Sequence, residues 1–162
     1  MRSLILTAFV LLASAATPAP EPQLIPFRAG NRWGYADRTK KILIPAHYDF
    51  AWPFSEGLAM VLDKGRYGFI DPAGKEIIPA SYRSAGEFKG GLAQVKLKGL
   101  WGCIGTDGDT IVPFEYEEIL PAGEGPAPAK KDGRWGLLET ASGRFTPTAY
   151  DEIYPFSEGL AR

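Results

Sequence analysis

Cysteine and histidine are almost missing from this chain: Cys103 and His47 are the only examples in 162 residues. A thiol–histidine dyad or a clustered metal site draws on several such side chains, so little is left for either. Charge of one sign is lacking too. Lys plus Arg is 18 and Asp plus Glu is 19, a formal net charge of -1, without the basic surplus or stripe of a nucleic-acid binder. The run Leu4 to Leu12 has nine residues, against roughly 20 for a membrane-spanning helix. No Ser/His/Asp set or phosphate-cradling glycine loop is present, and no cofactor is expected. What abounds is turn chemistry, 19 Gly and 14 Pro, well above average usage. Hydrophobic residues at 45% still supply a core.

The N-terminus has a targeting pattern. Met1-Arg2-Ser3 is a short basic start, Leu4 to Leu12 is apolar apart from Thr7, and Ala13-Ser14-Ala15 offers small residues for cleavage. Residues 1–16 are expected to be a secretory signal peptide, removed from the mature protein. No cysteine follows the apolar run, which excludes a bacterial lipid anchor at that junction. Residues 17–23, with Pro18, Pro20 and Pro22, form a Pro-rich extended spacer. The mature chain is expected to lack a transmembrane segment and to be periplasmic, extracellular or on the cell surface.

An internal repeat organises residues 24–162. Trp33-Gly34, Tyr67-Gly68, Trp101-Gly102 and Trp135-Gly136 recur at steps of 34 residues. Three further columns keep that phase: Pro45, Pro79, Pro113 and Pro147; Tyr48, Tyr82, Tyr116 and Tyr150; Gly57, Gly91, Gly125 and Gly159. Helical tetratricopeptide repeats share this period, so the punctuation between the columns decides. Gly and Pro interrupt the chain too often for two helices per unit, and the short runs, such as Leu58 to Leu62, suit strands. Asn31, Gly65, Gly99 and Gly133 mark tight turns that call for positive φ. Each unit is expected to be a three-stranded meander closed by its column proline, followed by a connection such as Ala80 to Gly90.

Gly65 to Asp71, Gly74 to Pro79, Tyr150 to Ile153 and Phe156 to Ala161 resemble the WG-repeat family of bacterial proteins, also called KWG repeats. The resemblance covers Leu24 to Arg162. It implies a β-rich architecture and export, and it carries no catalytic residues to transfer. The expected fold is all-β, with four tandem 34-residue units, the last incomplete, in a solenoid-like array. An open propeller-like arrangement is the alternative. Gly125-Pro126-Ala127-Pro128 lacks two amide donors and is expected at an edge or in an irregular strand. The repeats start and stop mid-unit, so either Leu160 to Arg162 closes against Leu24 to Arg32, or the array is a piece of a longer one. No polar capping unit is visible.

The candidate site residues are Trp33, Tyr67, Trp101 and Trp135. Inter-unit packing accounts for such a column, with the adjacent glycine leaving room for a neighbouring ring; an exposed ladder that stacks on sugars is the functional alternative. Cys103 falls in the apolar column of Tyr35, Phe69 and Leu137 and is expected to be a buried thiol, or less readily an intermolecular disulfide. His47 shares a variable column and is expected to be exposed. Glu56, Glu158, Asp49 and Asp151 recur with the repeat, as structural turns do and single active sites do not. Asp107-Gly108-Asp109 is a turn rather than a calcium loop. The expected function is a non-catalytic exported module for a protein or a cell-envelope glycan. The alternatives are a glycan-acting hydrolase and a scaffold without ligand.

Overall fold

The computed structural model describes residues 23–121 and 125–148, and their regular structure is entirely β. β1 (Ile25–Ala29), β2 (Arg32–Ala36) and β3 (Ile42–Tyr48) form the first sheet. The second comprises β4 (Phe50–Ser55), β5 (Leu58–Asp63), β6 (Arg66–Ile70) and β7 (Glu76–Tyr82). In the third are β8 (Ser84–Ala85), β9 (Leu92–Leu97), β10 (Leu100–Gly105) and β11 (Thr110–Tyr116). The fourth holds β12 (Glu118–Ile119), β13 (Ala127–Lys131), β14 (Arg134–Glu139) and β15 (Arg144–Pro147). All are antiparallel meanders. The connection expected between meanders therefore carries a strand of its own, short in β8 and β12, and each complete sheet has four strands.

Both faces of the second sheet are buried, which makes the array solenoid-like. Along β5, Ala59 and Val61 join Ile70 in a cluster with Tyr35 and Ile44 of the first sheet. Leu58, Met60 and Phe69 point the other way, into a cluster with Ala93, Val95 and Ile104 of the third. Cys103 and Val112 then repeat the pattern against Ala127, Ala129 and Leu138 of the fourth. An apolar run without polar alternation is what a strand covered on both faces requires.

One residue joins successive sheets. Asp49, Arg83 and Glu117 each follow a column tyrosine, and their N–H groups donate to Leu62 O (2.8 Å), Lys96 O (2.9 Å) and Lys130 O (2.8 Å) of the next sheet. These residues are the pivots of the array.

The glycine after each aromatic faces backbone. Tyr67 pairs with Tyr82 and Phe69 with Ile78, so Pro79, Ala80 and Ser81 bulge across the single residue Gly68. A Cβ on Gly68 would lie 2.7 Å from Ala80 N and 2.8 Å from Ile78 O. Gly34 and Gly102 sit under equivalent bulges. The room expected for a neighbouring ring exists only in part, beside Phe114 at Gly102 and Phe145 at Gly136. The column proline ends its strand only at Pro147, the last residue of β15. Pro45, Pro79 and Pro113 lie within β3, β7 and β11, where the bulge dispenses with their N–H.

β13 is an inner strand with unbroken register to β14, not an edge. The reason lies in which side Pro128 faces. Its carbonyl accepts from Leu120 N–H at 2.8 Å. In a strand a residue's N–H and C=O point the same way, so the missing donor faces the end of two-residue β12 rather than β14. In the first hairpin the positive φ falls on Gly30, at 61°. The targeting segment 1–16, the spacer as far as residue 22, and Leu160 to Arg162 with their expected closure onto Leu24 to Arg32 lie outside the described residues.

Candidate functional site

Each of Trp33, Tyr67, Trp101 and Trp135 begins, one residue in, the middle strand of its hairpin pair, and each is half-buried. Trp33, Tyr67 and Trp101 pack against the buried core clusters and remain partly exposed. The first two are joined by rings that the repeat columns do not announce. Trp33 lies 4.7 Å from Phe50, Phe50 4.4 Å from Trp52, and Trp52 5.7 Å from Tyr67, centroid to centroid. Phe50 is 38% exposed, so this row is open to solvent at its middle. Trp101 is different: Lys96 Nζ stands 5.4 Å from its ring centroid, and Trp135 pairs across the strands with Lys130.

The row is held from beneath. Tyr35 is fully buried, and its hydroxyl donates to Trp52 O at 2.7 Å, from the first sheet to the second. Its ring meets Phe54 edge-on at 5.0 Å. Burial pushes the Tyr35 phenol well above its ordinary range, with Tyr48 adding to the effect.

Phe50 and Trp52 come from the stretch expected to be a connection. The column of Phe50 holds Ser84, Glu118 and Glu152, and that of Trp52 holds Gly86, Leu120 and Tyr154, so the only periodic sign is one aromatic in the last unit. The alternation Phe50-Ala51-Trp52 was the available sign, because it puts two rings on one side of an extended chain.

The recurring acids serve turns and seams. Glu56 accepts from Gly90 N–H at 2.7 Å and Gly91 N–H at 2.8 Å, 34 and 35 residues on, while Ser55 Oγ donates to Phe88 O at 2.8 Å. Asp49 pairs with Arg32 and accepts from Gly65 N–H at 3.3 Å; Glu117 accepts from Gly133 N–H at 2.7 Å. Asp107 Oδ1 accepts from Asp109 N–H at 3.0 Å, closing its turn. Asp37 accepts from Thr39 and Lys41, and the Thr39 hydroxyl foremost holds its carboxyl below the usual range. Asp151 and Glu158 lie outside the described residues. His47 is exposed on β3, with Nδ1 2.9 Å from Pro45 O.

Cys103 is a free thiol, 1% exposed, pushed up to about 11 by burial. Burial also raises Tyr48, Tyr82 and Tyr116. For each group the folded protein favours the protonated form. This contribution to stability is complete below the unfolded pKa and is lost as pH rises through the folded one. The urea midpoint is therefore expected to hold steady from pH 7 to 8.5, then fall as the thiol window opens from about 9 to about 11 and the phenols follow above 10. A flat midpoint up to pH 11 would contradict this.

Three stretches that each open on a column aromatic, residues 33–67, 67–101 and 101–135, and a fourth, 146–162, match the family described as WG containing repeat. The chain belongs to the WG-repeat family. The first three WG matches each run from one column aromatic to the next, at the 34-residue period of the sheets. No curated protein and no solved structure matches the chain. Among the described residues no helix of the WG array is long and apolar enough to cross a membrane.

Proposed function

We propose that this WG-repeat protein is an exported, non-catalytic binding module, and that the row Trp33–Phe50–Trp52–Tyr67 seats a cell-envelope glycan. The row itself carries the reading. Four rings with centroids 4.4 to 5.7 Å apart, open at Phe50, offer planar apolar surface to the faces of successive sugars. Rings already packed against one another lose little side-chain freedom on binding, which favours affinity. Export rests on the N-terminal pattern of residues 1–16. A non-catalytic role is favoured over a hydrolase because Asp49, Glu56 and Glu117 are each spent on backbone amides of turns. A glycosidase instead needs two carboxyls facing each other across a sugar.

Sedimentation of the mature protein with purified peptidoglycan tests the proposal. The wild type is expected in the pellet, and Trp52→Ala is expected to lower retention about tenfold, the scale of removing one stacked ring. Trp135→Ala, remote from the row in sequence and in sheet, is expected to sediment like the wild type. Wild-type protein left in the supernatant would reject the glycan and leave a protein partner as the reading to pursue.

A further inference from the structure

We propose a second site on the WG array, independent of the aromatic row: a cleft at the second pivot that binds the carboxylate of a ligand. The repeat itself supplies the comparison. At the first pivot the Asp49 carboxylate is held by the Arg32 guanidinium and by Gly65 N–H, 3.3 Å away in the hairpin turn of the next sheet. At the third, Glu117 accepts from Gly133 N–H at 2.7 Å. The second pivot keeps both partners of the first, because Arg66 occupies the column of Arg32 and Gly99 that of Gly65. Only the acid is replaced, by Arg83.

The backbone is unchanged by that replacement. Arg83 N–H donates to Lys96 O at 2.9 Å, as Asp49 N–H does to Leu62 O at 2.8 Å. The turn is the same as well: Lys98 and Gly99 have φ of 51° and 94°, against 49° and 74° at Lys64 and Gly65. A guanidinium has no acceptor, so Arg83 cannot cap Gly99 N–H. Instead it lines an open cleft of about 580 Å³ with Arg66, Lys98, Ser81 and Gly99. Three cations and a turn amide thus surround the place that a carboxylate fills in the neighbouring units, and no acid lines it among the described residues. Bidentate pairing and charge-assisted bonds to a backbone N–H are the interactions that hold a carboxylate best.

The experiment is a titration of ¹⁵N-labelled mature protein with sodium succinate at constant ionic strength, followed by amide shifts, with inorganic phosphate as a second arm. The Gly99 amide is expected to shift saturably with succinate, while Gly65 and Gly133, already capped, stay in place. Arg66→Ala is expected to weaken the succinate Kd about tenfold. Arg83→Asp should recreate the first pivot, abolish the Gly99 response and leave the circular dichroism spectrum unchanged. Absence of a saturable Gly99 shift, equal shifts at all three glycines, or succinate binding by Arg83→Asp would overturn the proposal. Saturation by phosphate alone would overturn the carboxylate assignment. Trp52→Ala is expected to bind succinate as the wild type does, which separates this site from the aromatic row.

Discussion

Gly68→Ala is expected to be among the most damaging single-methyl additions in the described array. The new Cβ would meet Ala80 N at 2.7 Å, Ala80 Cα at 2.8 Å and Ile78 O at 2.8 Å, all backbone atoms. No side chain can rotate aside. Relief requires lifting the Pro79–Ser81 bulge, and with it the pairs Tyr67–Tyr82 and Phe69–Ile78 that anchor it on either side. A cost of about 3 kcal/mol, the upper part of the overpacking range, is expected, with a fall in Tm of about 10 °C. Gly65→Ala is the control. Its φ of 74° is strained for alanine, but open space surrounds the site, so about 1 kcal/mol is expected. Thermal melts of the two variants decide the matter. A Gly68→Ala protein melting within two or three degrees of wild type would show that the bulge yields and that the glycine is not a packing requirement.

Phe69→Ala should act on the seam between the second and third sheets. Its ring is 1% exposed and meets Phe88 edge-on at 4.8 Å, in a cluster with Val95 and Ile104. Removing a buried phenylalanine costs about 3 to 5 kcal/mol. In a linear array each unit is stabilised chiefly by its neighbours, so a loss at one interface weakens coupling across it more than the units on either side. Calorimetry is expected to show one transition for the wild type and two for Phe69→Ala. Hydrogen exchange should speed up first at β6 and β9, the strands lining the opened seam. A single transition at an unchanged temperature would mean that the sheets do not depend on this contact.

These outcomes bear on what a sequence reveals of such a fold. The strongly periodic parts were legible: the aromatic-glycine hairpins, the positive-φ turns at Gly65, Gly99 and Gly133 and the strand-rich units follow from the repeated columns, whereas at Asn31 the positive φ falls one residue earlier, on Gly30. The fourth strand was hidden, because β8 and β12 have two residues each and show no alternation. Pro128 suggested an edge because its missing donor is visible in sequence, whereas the side it faces is set by the neighbouring strand. The carboxylates of Asp49 and Glu56 announced turns by recurring, but not that they reach into the next sheet or the next unit. Phe50 and Trp52 stayed unnoticed for the opposite reason. Phe50 has no aromatic column partner and Trp52 has only Tyr154, and periodicity detects what most units share, while a binding surface on a repeat protein resides in what few units have. Arg83 is the same lesson in reverse: a departure from a column, legible as a substitution, acquires chemical meaning only when the partners of the residue it replaces are known.

The single-residue pivots restrict how this protein can change length. Asp49, Arg83 and Glu117 leave no slack between one sheet and the next, and each spends its amide on the sheet that follows. A one-residue insertion after Asp49 would reverse the facing of every side chain of β4 up to the Glu56-Gly57 turn, placing Phe50 and Trp52 where buried Ala51 belongs. Gain and loss of sequence at these joints is therefore tolerated only in whole units. The array grows like a ruler, in fixed increments, and insertions of other sizes belong at the hairpin tips, where Lys64-Gly65 and Lys98-Gly99 face open space.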